Sequence, residues 1–298
     1  MPLFNLAWKS SFFWDGRAPS LRAQALMPIQ DHTEMDESLT NVVGKLSGLS
    51  LAPGFSRMLP VTDASPTASA VSPSAKTVET VPTTAPQITG LKPGANESSI
   101  KPETSPVYPA LFTAAFGSPE ITSEKIGLAI EAFVLTLTSF DSKFDRALAG
   151  KEQLSDEEKR GLELFMTEYD PRRQQFGADC FHCHGGPLFQ SQTFANNGLD
   201  AEFADLGRAK ITGKDSDNGK FATPSLRNIA LTAPYMHDGR FKTLEEVVEH
   251  YSTGQKRSAT LDPNLAKHMD GGVRLSESDK RALVAFLRTL TDSKYIAP

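Results

Sequence analysis

The pentapeptide Cys180-Phe-His-Cys-His184 sets the tightest limit on what this chain can become. Two thiols three residues apart lie one helical turn from each other, and a histidine follows the second directly. This is the C-x-x-C-H spacing at which two sulfurs add to the vinyl groups of one porphyrin while the next imidazole reaches the iron. The competing readings ask for residues that are missing. A structural zinc needs four ligands, and no second Cys/His pair lies nearby. His182 and His184 could join the cysteines on a zinc, but on adjacent turns they would crowd one another. A redox dithiol calls for a βαβ context, of which there is no sign. The cofactor expected is one covalent haem c, held by Cys180, Cys183 and proximal His184.

The chain also says several things twice. Residues 3–21 laid over 226–244 without a gap match at Leu3/Leu226, Asn5/Asn228, Ala7/Ala230, Asp15/Asp238, Gly16/Gly239, Arg17/Arg240 and Leu21/Leu244. AFVLTLT at 132–138 is echoed by AFLRTLT at 285–291. The expectation is two related modules, an N-terminal domain over 1–145 and a C-terminal domain with the covalent haem over 146–298. The stretch from Asp15 to Ala132 is 70 residues longer than its counterpart from Asp238 to Ala285. Most of the excess falls in 60–107, which holds eight Pro, seven Ser and eight Thr and no aromatic residue. That composition buries too little apolar surface to offset the entropy of ordering, so a disordered low-complexity insert is expected there.

The net charge of −5 argues against a nucleic-acid partner. No apolar run approaches the length of a membrane span. The opening MPLFNLAWKSS has neither a charged n-region nor an unbroken apolar core, so no export signal is read there.

Helical signals dominate the rest. Ser20 caps SLRAQAL, and Ser123 precedes a segment whose Ile126, Ile130, Phe133 and Leu137 fall on one stripe. Ser155-Asp-Glu-Glu158 has the form of a capping box, with Leu162, Phe165 and Met166 expected inward. Ser276 opens the last helix, with Leu283, Phe286, Leu287 and Leu290 on its stripe. Gly161, Phe165 and Phe286 suit two helices that cross and clamp a porphyrin edge. Leu244, Val247, Val248 and Tyr251 share one helical face. The fold class expected is all-α, as two cytochrome c-like domains, the first truncated at its N-terminus and carrying the insert.

The haem motif, then TPSLRNIALTAPYMHDGRFKTLEEVVEHYSTG, then LSESDKRALVAFLRTL resembles the bacterial di-haem cytochrome c peroxidase family, including the MauG-type enzymes that mature a tryptophan-derived quinone. LFNLAWKSSFFWDGRAPSLRAQALMPIQDHTEM resembles the later part of that family's peroxidatic domain. The resemblance covers nearly the whole chain except the insert. It implies two haems in the full-length protein, whereas this sequence has one motif. A first motif at the repeat offset would fall upstream of Met1, so the expectation is a chain lacking its first haem-binding segment, with the export signal also upstream.

What the resemblance implies for residues follows. Trp14 matches an electron relay between the haems; the bland reading is a core aromatic. Gln24 and Glu34 match the polar pair over the peroxidatic haem, where a carboxylate carries a proton between the peroxide oxygens; otherwise Glu34 is a solvated loop acid. Tyr251 is the first choice for the distal iron ligand of the second haem and Met236 the alternative, with a buried hydrogen-bonded tyrosine as the bland reading. Thr232 and Pro234 match carbonyl ligands of a Ca²⁺. His237 and Arg240 are expected near the propionates, whereas His32, His250 and His268 are expected to be surface or locally hydrogen-bonded. The implied activity is periplasmic reduction of hydrogen peroxide, fed by a small c-type cytochrome or cupredoxin. A homodimer is compatible with it. The alternatives are a MauG-like protein-oxidising enzyme and a mono-haem electron carrier.

Overall fold

The computed structural model describes residues 2–48, 107–268 and 271–296. The insert expected at 60–107 lies outside the described residues apart from Val107, which opens a helix. The chain divides into two compact units, Met1–Val42 with Thr122–Pro298, and Val43–Ile121. In the smaller unit the described residues form the second part of α2 (Leu39–Gly48) and α3 (Val107–Phe116), where Phe112 and Phe116 meet at 5.4 Å.

The larger unit is built from short helices whose starts are fixed by local chemistry. Ser20 caps α1 (Leu21–Gln30) by accepting from the Ala23 amide, and Thr122 caps α4 (Ser123–Leu135). Capping boxes open α5 (Lys143–Leu148) at Ser142/Asp145, α6 (Asp156–Met166) at Ser155/Glu158 and α8 (Leu244–Glu249) at Thr243/Glu246. Each box satisfies two backbone donors that a helix start otherwise leaves orphaned. α8 runs on into a π-type turn, His250–Gly254. One-turn helices α7 (Ala209–Thr212) and α9 (Pro263–Ala266) lie in the connections, and α10 (Glu277–Thr289), capped by Ser276, closes the chain. Among the described residues the strands are two-residue ladders, β1 (Tyr169–Asp170) with β2 (Gln175–Phe176) and β3 (Phe194–Ala195) with β4 (Phe221–Ala222).

The core sits where α6 crosses α10. Gly161 makes the close approach possible, since a Cβ there would stand 1.9 Å from the Ala282 carbonyl oxygen. Phe165 and Phe286 are fully buried and meet at 5.2 Å, and Phe144 and Phe189 complete an edge-packed aromatic cluster. Arg227, 3% exposed, ties this core to α5 through two 2.8 Å bonds to the Asp145 carboxylate and a third to the Pro187 carbonyl.

The sequence echo is a structural one. Asn5 and Asn228 both adopt left-handed backbone, and their amides donate to Leu137 and Leu290, each just past the end of a long helix. Phe12 bridges Ala18 as Tyr235 bridges Phe241, and Gly16 and Gly239 share a φ of 73° at the turn between.

Two helical stripes differ from expectation. Phe133 is 64% exposed and the inward face of α4 runs through Ile126 and Val134. Its counterpart Phe286 is covered by α6, and among the described residues no helix covers Phe133 in the same way. In α6 the buried face is Gly161, Leu164 and Phe165, while Met166, one position beyond it, is 54% exposed.

Candidate functional site

Cys180–His182 forms a single 3-10 turn, entered through Asp179 in left-handed backbone, and the His184 amide donates to the Cys180 carbonyl at 2.9 Å. The turn brings Cys180, Cys183 and His184 to the wall of one cavity of about 930 Å³. Phe165, Leu283 and Leu287 from the crossing helices, and Leu244, Val247 and Val248 from α8, form its apolar walls. Such a volume, mostly apolar with a few convergent polar groups, suits a large flat cofactor.

The donor set fits a covalent haem. His184 Nδ1 lies 3.2 Å from the Phe189 carbonyl oxygen, which fixes that nitrogen as the N–H and leaves Nε2 as the iron donor. Burial pulls the His184 pKa down to about 4, so the ring is a neutral ligand at physiological pH. Burial pushes Cys180 up to about 12 and Cys183 up to about 11, with the negative charge of Asp179 adding to both. Redox dithiols work through a depressed thiol pKa, so these values speak against that reading.

Both residues expected as distal ligands line the same cavity. Tyr251, in the π-type turn, and Met236, in left-handed backbone at φ 72°, both line the cavity. Burial pushes the Tyr251 hydroxyl well above its ordinary range. Trp14 also lines the cavity, its carbonyl accepting from the Ala222 amide at 2.7 Å. His237 lies at the cavity wall, stacked on Phe221 with centroids 3.6 Å apart, and its pKa is lowered by burial. Arg240 does not line the cavity; it bonds both oxygens of Asp200, at 2.9 and 2.7 Å, and Asp238. Thr232 and Pro234 are at the wall, the Thr232 hydroxyl bonded to the Ile229 carbonyl and the Ala233–Pro234 peptide cis. Gln24, on α1, and Glu34, exposed after it, stand outside this cavity.

Sequence reasoning missed the support beneath the motif. The Asp179 carboxylate, 1% exposed, accepts from Lys267 at 2.7 Å and from His268 Nε2 at 3.1 Å, and His182 lies 3.2 Å away. Glu168 completes the ring through His182 at 2.8 Å and through Lys267. Hydrogen bonds from His268 and Lys267 outweigh burial and hold Asp179 below the usual carboxylate range. Glu168, Asp179 and His182 are close enough to share a metal ion, yet the Lys267 ammonium already bridges the two carboxylates. His268, expected at the surface or in local bonding, is a buried member of this cluster, and His250 is buried with Nε2 3.0 Å from the Asn197 carbonyl. His32 is at the surface, its side chain 86% exposed. No local signal pointed to Lys267 or His268, because they meet Asp179 from almost ninety positions away in sequence.

Comparison with known proteins adds a consistent picture. The family model for di-haem cytochrome c peroxidase matches residues 1–80 and 69–153, between them just over half of the chain. Methylamine utilization protein MauG of Methylorubrum extorquens is 32% identical over 97% of this chain and 63% of its own length. The cytochrome c551 peroxidase of Nitrosomonas europaea is 34% identical over 62% of this chain and 50% of its own. The chain therefore spans less than two thirds of the length of these curated relatives. Among solved structures, a MauG-like protein associated with microbial copper homeostasis superposes with a TM-score of 0.69 at 28% identity, covering 97% of this chain and 74% of that one.

Proposed function

Because the chain belongs to the di-haem cytochrome c peroxidase family, we propose that its 180–184 motif carries an electron-transfer haem c serving the two-electron reduction of hydrogen peroxide. The observation that carries this reading is the convergence of Cys180, Cys183, His184, Trp14 and Tyr251 on one cavity. The haem, when bound, supplies a one-electron carrier whose potential its axial ligands and burial set. Cys180 and Cys183 would hold it covalently, His184 would supply one iron ligand, and Tyr251, with Met236 as the alternative, would supply the other. Trp14 offers an indole at the cavity wall for electron passage toward a peroxidatic haem in the full-length protein.

At that second site we assign Glu34 to carry a proton from the near to the far oxygen of the peroxide, with Gln24 orienting the substrate by hydrogen bonding. The balance is one peroxide, two protons and two electrons to two waters. A small c-type cytochrome or cupredoxin is the donor class, and thioether attachment places the protein in the periplasm. No helix among the described residues is long and apolar enough to cross a membrane. Thr232 and Pro234 are assigned to a Ca²⁺ site, and His237 and Arg240 to the propionate side. We read 1–145 and 146–298 as two cytochrome c-like modules.

Tyr251 in the cavity lining favours a second reading, a MauG-type protein oxidase, since an anionic phenolate ligand would stabilise an oxidised iron. The test is maturation of the chain in a host competent for c-type cytochromes, followed by haemochrome stoichiometry and turnover with peroxide and a reduced donor. One haem per chain that resists acidified acetone is expected, with weak peroxidase activity. A colourless protein, or a pigment extracted by acid, would overturn the proposal.

A further inference from the structure

Trp14 is kept at the cavity wall by one side chain and one short strand from the later half of the chain. Arg208 Nη1 donates to the Asp15 carbonyl at 3.0 Å and to the Gly16 carbonyl at 3.2 Å, the two residues that follow the indole. Hydrogen bonds from a charged donor are the stronger kind. The Ala222 amide, in β4, donates to the carbonyl of Trp14 itself. The guanidinium also lies over the Phe194 ring, 4.4 Å from its centre.

These parts interlock. The Arg208 amide donates to the Lys220 carbonyl at 2.8 Å and the Gly219 amide to the Leu206 carbonyl at 3.1 Å, which pins the base of the arginine to the segment running into β4. Phe194 pairs with Ala222 in the β3–β4 ladder. Gly16 fits against both partners, since a Cβ there would stand 2.3 Å from the Phe194 ring and 2.7 Å from Arg208 Nη1. The turn needs such holding. Phe13, directly before Trp14, lies in left-handed backbone at φ 66°, which an aromatic residue keeps only where its surroundings impose it. In the second copy of the repeat the place of Trp14 is taken by His237, whose ring stacks on Phe221 of the same strand. β4 therefore seats both turns at the cavity, one through a side chain and one through a backbone amide, and Arg208 clasps the turn that bears the indole.

We infer that Arg208 is a positioning residue for the electron relay, holding the Trp14 indole at the haem cavity through its grip on the Asp15 and Gly16 carbonyls; the inference rests on the haem reading above. Trp14 itself reports on it. Trp8 and Trp14 are the only tryptophans in the chain, so Trp8→Phe leaves a single emitter. A haem accepts indole excitation, at a rate that falls steeply with distance. In the haem-loaded full chain carrying Trp8→Phe, Trp14 should emit with a strongly shortened lifetime. Adding Arg208→Met should lengthen that lifetime several-fold with haem stoichiometry unchanged. Arg208→Lys, which keeps a cation able to reach one carbonyl, should restore most of the shortening. Arg208→Gln, too short to span both carbonyls, gives the same readout should the Met variant not fold. An unaltered lifetime in the loaded Met and Gln variants would overturn the inference alone, as would a long Trp14 lifetime in the loaded parent. A parent that carries no covalent haem would overturn the haem reading and this inference with it.

Discussion

Single residues in this protein act by being paired where water is scarce. Arg227 is the clearest case, its guanidinium 3% exposed and bidentate on Asp145. Removing one partner of such a pair leaves an uncompensated buried charge and costs about 3–5 kcal/mol. Arg227→Met should therefore lower stability at pH 7 by about that amount, read from urea midpoints. Burial raises the Asp145 pKa, but hydrogen bonds from Arg227 and Ser142 outweigh it and the net shift is downward. A depressed folded pKa contributes stability that is fully present above the unfolded value, about 4, and lost as pH falls through the folded one. The gap between wild type and Arg227→Met should accordingly narrow as the solution is acidified below about pH 4. Asp179→Ala should also destabilise, by about 3–5 kcal/mol, and reduce haem loading, since Lys267 and His268 lose their shared acceptor. None of this pairing was legible beforehand. Cys180, Cys183 and His184 announce themselves because the spacing that thioether attachment asks for is local, whereas Asp179 and Lys267 owe their pairing to neighbours brought in by the fold.

At the level of elements, the meeting of α6 and α10 governs the shape of the cavity. Gly161→Ala would push a methyl group against the Ala282 carbonyl, a backbone atom that cannot turn aside. The helices must separate, at a cost of about 1–3 kcal/mol, and Phe165, Leu283 and Leu287 at the cavity wall move with them. A lower thermal midpoint of the haem-loaded protein, together with substoichiometric haem, is the expected result. Helix starts and this crossing were readable from the sequence, because caps and a glycine between aromatics state local requirements. The stripes through Phe133 and Met166 misled because a helical period identifies a set of aligned residues and is silent on which neighbour covers them. The π-type turn at His250–Gly254 was equally silent, though it sets where Tyr251 lies.

Across the molecule, duplication orders the larger unit. The turn around Asp15-Gly16-Arg17 and that around Asp238-Gly239-Arg240 share backbone conformation and bonding, with Arg17 and Arg240 each folding back on the aspartate two positions before. The second copy sits at the cavity, and the first delivers Trp14 to it. Removing 60–106 from the chain should leave the haem optical spectrum unchanged, because a tract so rich in Pro, Ser and Thr and without an aromatic residue has little apolar surface to offer a cofactor; a lost or shifted spectrum would mean the Pro/Ser/Thr tract has a structural part to play.

Asn5 exchanges two buried bonds with the backbone of Ser139, donating to its carbonyl at 3.0 Å and accepting from its amide at 2.9 Å. What joins the start of the chain to its later half is thus a non-covalent seam as well as a run of peptide bonds. Two separately expressed polypeptides, one ending after residue 48 and the other starting at 107, should find each other and copurify through that seam.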